Sequence, residues 1–194
     1  MQTLELDLTK RYSYADYLTW FDNVRRELID GFIHLMSPAP SIKHQIVTGN
    51  IHTIVNSYLK SKKCKVLIAP ADVRLLNNQK KADKDVFSVV QPDLFIVCDL
   101  AKLDDKGCIG APDMIVEIVS LSNTKHDVKT KFNLYQQNGV REYWIVFPYD
   151  KMVQVFLLDE NGKYQHQANY TEEDKVKVNI FEDLYIDLQD VFED

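Results

Sequence analysis

Two carboxylates stand where a folded protein rarely puts them. In "VVQPDLFIVCDL", Pro92 and Asp93 stand at the mouth of an apolar run, Leu94 to Cys98, that reads as a buried strand. In "APDMIVEIVS", Glu117 is carried through the middle of a second run, between Met114, Ile115, Val116, Ile118 and Val119. A buried carboxylate without a partner costs several kcal/mol or shifts its pKa far upward. Glu117 is then either a structural, hydrogen-bonded acid or one wall of a site for a divalent cation. Asp93, at the edge of a neighbouring strand, is the natural second wall, its other reading being a turn acid. Two carboxylates on adjacent strands suit Mg²⁺, which takes oxygen ligands and keeps several waters. Such an ion neutralises charge growing on a phosphate oxygen and supplies a nucleophilic water. A nearby lysine would hold that water or the phosphate.

Elements that could position these acids follow from the pattern around them. "SYADYLTWF" predicts a short helix with Ser13 as N-cap and Asp16 completing a capping box. "RELIDGFIHLM" alternates about Asp30-Gly31, a hairpin signal that places Glu27 on its first arm. From Ser41 the apolar positions Ile46, Val47, Ile51, Ile54, Val55, Tyr58 and Leu59 keep a helical period. Strand-like runs follow in "CKVLIAPADVRLL", "DLFIVCDL" and "DMIVEIVS", with "NNQKKADKD" as a loop between the first two. "HDVKTKFNLYQQ" is a helix ending at Asn138-Gly139. "REYWIVF" and "MVQVFLLD" form a hairpin around "PYDK", and "KYQHQANY" adds a further strand. The order from residue 41 is α-β-β-β-α-β. It predicts an α/β fold in which three strands meander and the second helix crosses over to a fourth, giving a mixed sheet.

Composition bounds the rest. With 194 residues, 45% hydrophobic and 27% charged, the chain reads as one domain over 1–194 with its core at about 41–148. No run is apolar enough to span a membrane, and the N-terminus lacks the build of a signal peptide. Cys64, Cys98 and Cys108 form no C-x-x-C pair and read as free buried thiols in a reducing cytoplasm. The net charge of −6 is uneven: residues 159–194 hold eleven acids against three lysines, −8, which leaves +2 on residues 1–158. Lysine clusters at 60–65 and 80–84 read as solvated surface or as a binding patch. The acidic tail is expected to weaken nucleic-acid binding, so that removing residues 172–194 tightens it unless they cover core surface.

Pro92-Asp93 followed by Glu117-Ile118-Val119 within α-β-β-β-α-β resembles the PD-(D/E)XK nuclease superfamily. The ordered set "RRELIDGFIHLM", "SPAPSIKHQ", "APADVRL", "VVQPDLFIVCD", "GAPDMIVEIVSLSN" and "KTKFNLYQQNGVREYWIV" resembles its Uma-two branch of restriction-type endonucleases, over about residues 12–158. The resemblance implies a restriction-endonuclease-like core carrying an N-terminal helix, a β-hairpin and C-terminal strands. It implies a metal-dependent endonuclease in which Asp93 and Glu117 hold Mg²⁺, with Mn²⁺ able to substitute. The superfamily pattern wants lysine two residues after the acid, where this chain has Val119. The resemblance implies that the lysine comes instead from the following helix.

Helix phase then chooses between Lys131 and Lys129. Val128, Phe132 and Tyr135 mark the inward stripe, Lys131 lies on its border and Lys129 points away. Matching the family pattern further, Glu27 is a supporting acid and Gln91 a residue that orients water or phosphate. Asp72 reads as a partner of backbone groups or of Arg74, and His44 as a phosphate contact or a surface or capping residue. Tyr135 is core with its hydroxyl available to the site, and Glu142 a structural strand-end acid. The expected partner is nucleic acid, read as DNA, with no membrane. A homodimer would suit such a substrate, because two sites cut a duplex most easily. Two other readings compete: a non-catalytic nuclease-fold module that binds nucleic acid or protein, and a hydrolase of small phosphate esters.

Overall fold

Ser13 accepts a hydrogen bond from the main-chain N–H of Asp16, whose carboxylate accepts one from Ser13 N, and this capping box starts α1 (Tyr14–Tyr17). These residues belong to a computed structural model that describes residues 4–36, 39–76, 82–120 and 125–193, apart from the side chains of 125–127. The hairpin follows as β1 (Arg26–Ile29) and β2 (Phe32–Leu35), and the first long helix as α2 (Ile42–Leu59) with Ser41 as N-cap. The run "CKVLIAPADVRLL" then makes two strands where one was expected: β3 (Lys65–Ile68) and β4 (Asp72–Leu75). They part at Ala69-Pro70, a cis peptide, and enter different sheets. Of the loop expected at "NNQKKADKD", residues 77–81 lie outside the described residues, and Asp83–Asp85 form one 3₁₀ turn.

A similar break at Gln91-Pro92-Asp93 separates β5 (Ser88–Val90) from β6 (Leu94–Val97). The proline has no N–H to give to a ladder, so one strand stops and the next starts in the other sheet. A small hairpin, β7 (Leu103–Asp104) with β8 (Gly107–Ile109), leads to β9 (Met114–Ile118). Gly107 has φ +139°, and a Cβ there would stand 2.0 Å from the carbonyl oxygen of Asp72, so only glycine lets β8 pair with β4. The crossover helix α3 (Lys125–Asn138) ends at Gly139, φ +81°, and returns the chain to β10 (Glu142–Phe147). The chain continues through β11 (Met152–Leu158), β12 (Tyr164–Thr171), β13 (Lys175–Lys177), β14 (Tyr185–Asp187) and α4 (Leu188–Phe192).

The central sheet runs β12-β11-β10-β9-β6-β3. In it β3 pairs antiparallel with β6, β6 antiparallel with β9, and β9 parallel with β10, which is the meander and crossover expected. The second sheet, β2-β1-β5-β4-β8-β7, was not expected as a separate layer. Its strands were either folded into the runs above or too short to show a period. Alternation along the central strands sorts the core into two halves. Leu94, Ile96, Met114, Val116, Trp144 and Val146 pack toward α2, and Phe95, Val97, Ile115, Tyr143 and Ile145 pack toward α3.

One expectation needs correction. Cys64 and Cys98 are joined in a disulfide, leaving Cys108 as the free, buried thiol. The reason is register: Lys65 stands opposite Val97, so the residues just outside that pair face each other. The acidic tail covers core surface, the alternative left open for residues 172–194. Val176, Val178, Leu184, Ile186, Leu188, Val191 and Phe192 are buried in the α2 half of the core. Glu142, fully buried at 0% exposure, anchors this unit by accepting from Trp144 Nε1 (2.8 Å) and Ile180 N (2.9 Å). Burial still raises its pKa, against the lowering effect of these bonds.

Candidate active site

A period of two puts Glu117 on the face of β9 that looks toward α3 rather than α2. It is 9% exposed, and α3 covers it with two side chains one turn apart. Lys131 Nζ donates to Glu117 Oε1 at 3.0 Å, and the Tyr135 hydroxyl donates to the same oxygen at 2.5 Å. Helix phase thus places Lys131 as expected, and Lys129 is exposed.

Glu27 enters from the hairpin. Asp30 and Gly31 take positive φ angles of 52° and 87°, the turn that closes a two-residue hairpin, and β1 is buried along its whole length. Glu27 Oε1 accepts from Lys131 Nζ at 3.0 Å and from Gln91 N at 2.9 Å. Lys131 therefore bridges two buried carboxylates carried by different sheets. The amide of Gln91 is engaged elsewhere: Nε2 donates to Asp72 Oδ1 (3.0 Å), and Oε1 accepts from Arg25 Nη2 (3.0 Å). Asp72 also accepts from the Tyr14 hydroxyl at 2.7 Å. Arg74 pairs with Asp104 of β7, and Asp72 is held instead by Tyr14 and Gln91.

Asp93 sits at the start of β6, next to β9 through the Leu94–Val116 pair. Its Oδ2 accepts from Ile118 N at 2.7 Å, and its Oδ1 lies 3.2 Å from His44 Nε2. Nothing in the sequence joined His44 to Asp93. The pairing exists only once α2 is laid against the central sheet. Together these groups floor a cleft of about 710 Å³ between the β1–β2 hairpin, the first half of α2 and the ends of β6 and β9.

The electrostatics of the floor are lopsided. Burial pushes the Glu117 carboxyl up to about 7; the Lys131 charge opposes this, while Asp93 and Glu27 reinforce it. Lys131 is raised too: burial works against its charge, and Glu117 and Glu27 outweigh that. For His44, burial is the largest influence and lowers the pKa, but Asp93, Glu117 and the Ile118 main chain together raise it on balance. Three carboxylates face one lysine and one histidine, and the excess of negative charge suits a small divalent cation. Among the described residues no three His, Cys, Asp or Glu side chains are placed to share one ion. Asp93 and Glu117 on neighbouring strands nevertheless fit Mg²⁺, which binds through one or two carboxylates and keeps waters in its remaining positions.

An antiparallel and parallel mixed sheet, crossed by one helix that delivers a lysine to a strand-borne acid, defines a nuclease-like fold. The chain belongs to the Uma2 family, whose profile, described as "Putative restriction endonuclease", matches residues 14–189. It is similar to a solved structure described as a "putative nuclease belonging to DUF820" from Anabaena variabilis. The TM-score is 0.70 at 17% identity, covering 93% of this chain and 97% of that one. It is also 23% identical over 171 residues to the uncharacterized protein slr1290 of Synechocystis sp., covering 87% of this chain and 85% of that protein. No helix among the described residues is long and apolar enough to cross a membrane.

Proposed function

We propose that the protein is a Mg²⁺-dependent endonuclease that hydrolyses phosphodiester bonds in DNA. The observation that carries this reading is Lys131, whose ammonium stands 3.0 Å from Glu117 and 3.0 Å from Glu27 on the floor of the cleft that Asp93 lines. Val119 leaves the superfamily's lysine position empty of charge, and α3 brings an ammonium to the same acid from another element. Asp93 and Glu117 would hold Mg²⁺, and Mn²⁺ would substitute. When bound, the ion activates a water and neutralises charge growing on the phosphate. Lys131 has three N–H donors and gives two to Glu27 and Glu117, so the third serves the phosphate or the attacking water. Glu27 fixes Lys131, Gln91 supports Glu27 through its main-chain N–H, and Tyr135 holds Glu117 in place.

The reading places the protein in the cytoplasm with its substrate, where the Cys64–Cys98 bridge meets reducing thiols. Two copies acting together would cut both strands of a duplex. Supercoiled plasmid is the direct test: the wild type should nick or linearise it with Mg²⁺ and not with EDTA. Asp93→Asn, purified alongside, should be slower by about 10²-fold or more, the scale of one transition-state group. Equal cleavage by the Asp93→Asn protein would remove the activity from this site. Hydrolysis of mononucleotide esters alone would favour a small-ester hydrolase.

A further inference from the structure

His44 has no part in the chemistry described above, yet it is among the most constrained side chains of the cleft. It is 7% exposed and lies in the first turn of α2, where its main-chain N–H donates to the Ser41 N-cap at 3.2 Å. The Thr48 hydroxyl, one turn on, donates to the His44 carbonyl at 2.7 Å and stands 3.4 Å from its Nδ1. That contact leaves Nε2 as the nitrogen directed at Asp93 Oδ1, 3.2 Å away.

Asp93 needs such a partner. It follows Pro92 at the mouth of β6, with its side chain 21% exposed, and the ladder alone does not fix its carboxylate. Ile118 N holds one oxygen at 2.7 Å, which would leave the group free to swing about that single bond. A second bond to the other oxygen sets the carboxylate plane. Helix α2 is itself held from behind, because Asn50 Nδ2 donates to the carbonyls of Val191 and Glu193, both at 3.2 Å.

We propose that His44 is a positioning residue: its Nε2 fixes the orientation in which Asp93 receives a divalent cation. This rests on the metal-dependent reading of the cleft. It assigns α2 a task in the site, and it explains a buried histidine aimed at a carboxylate. Partners that orient a metal-ligating side chain commonly matter about 10–100-fold in metal affinity. A histidine that only packs would affect folding stability and leave that affinity unchanged.

The test is calorimetric titration of the full-length, metal-free protein with Mn²⁺, alongside thermal melts in EDTA. His44→Phe keeps a buried ring without a donor, and His44→Asn keeps a polar amide too short to reach Asp93. Both should bind Mn²⁺ about 10–100-fold more weakly than the wild type. His44→Gln, whose amide N–H reaches the position of Nε2, should stay within about threefold, a rescue that packing alone does not produce. If His44→Phe fails to fold, His44→Asn carries the comparison. Wild-type affinity in either donor-free variant, or equal losses in His44→Gln and His44→Asn, overturns the assignment while the metal reading stands. Absence of Mn²⁺ binding by the wild type overturns both.

Discussion

Glu117 shows how one residue announces a site. Its carboxylate interrupts an apolar run, and that conflict was visible before any fold was known. Lys131 was legible too, because helix phase needs only local spacing. The pairing of His44 with Asp93 was not, since it depends on how α2 lies over β6, and the partners of the Gln91 amide, Asp72 and Arg25, were hidden for the same reason: they come from distant segments. The burial that marks Glu117 also makes a pH prediction. Its folded pKa, about 7, lies above the ordinary 4.5, so its stability contribution is complete below about 4.5 and is lost as pH rises through 7. In EDTA the wild type should therefore lose stability from this residue as pH rises from 4.5 to 8. Glu117→Gln should show a flatter profile, checked by thermal or urea unfolding at both pH values. Parallel profiles for the two proteins would show that Glu117 is not held against its charge.

At the scale of elements, the meander-and-crossover order was readable because each strand and helix carries its own period. The division into two sheets was not. Pro70 and Pro92 mark the switches, but a proline reports only that a ladder ends, not which sheet the next strand joins. The disulfide was hidden similarly, because the register between β3 and β6 is a long-range property. Whether the tail covers the core could not be read from its charge. Its acids are conspicuous, whereas the alternating Val176, Val178, Leu184 and Ile186 that seat it on the core are spread through short strands. Removing residues 172–194 would uncover α2 and strip the donors from buried Glu142 at Ile180 and Asn179. Losing several buried aliphatic side chains at about 1.5–3 kcal/mol each exceeds the stability of an ordinary domain. The truncated chain should be unfolded by circular dichroism and show no gain in DNA affinity. A folded truncation with native melting would contradict this packing.

The whole molecule carries −6, so long-range attraction contributes little to holding DNA. The reading therefore rests on the local apparatus: two sheets, the hairpin and α3 meet at a cleft where one ammonium bridges two acids. The most direct measurement compares the cleavage rates of Lys131→Met and Lys129→Met with the wild type on one plasmid, at one Mg²⁺ and salt concentration. Lys131→Met should lose about 10²-fold or more, while exposed Lys129→Met changes the rate only about two- to threefold. Mg²⁺ affinity, measured on the same preparations, should persist in both. A Lys131→Met protein that cuts at the wild-type rate would contradict the account.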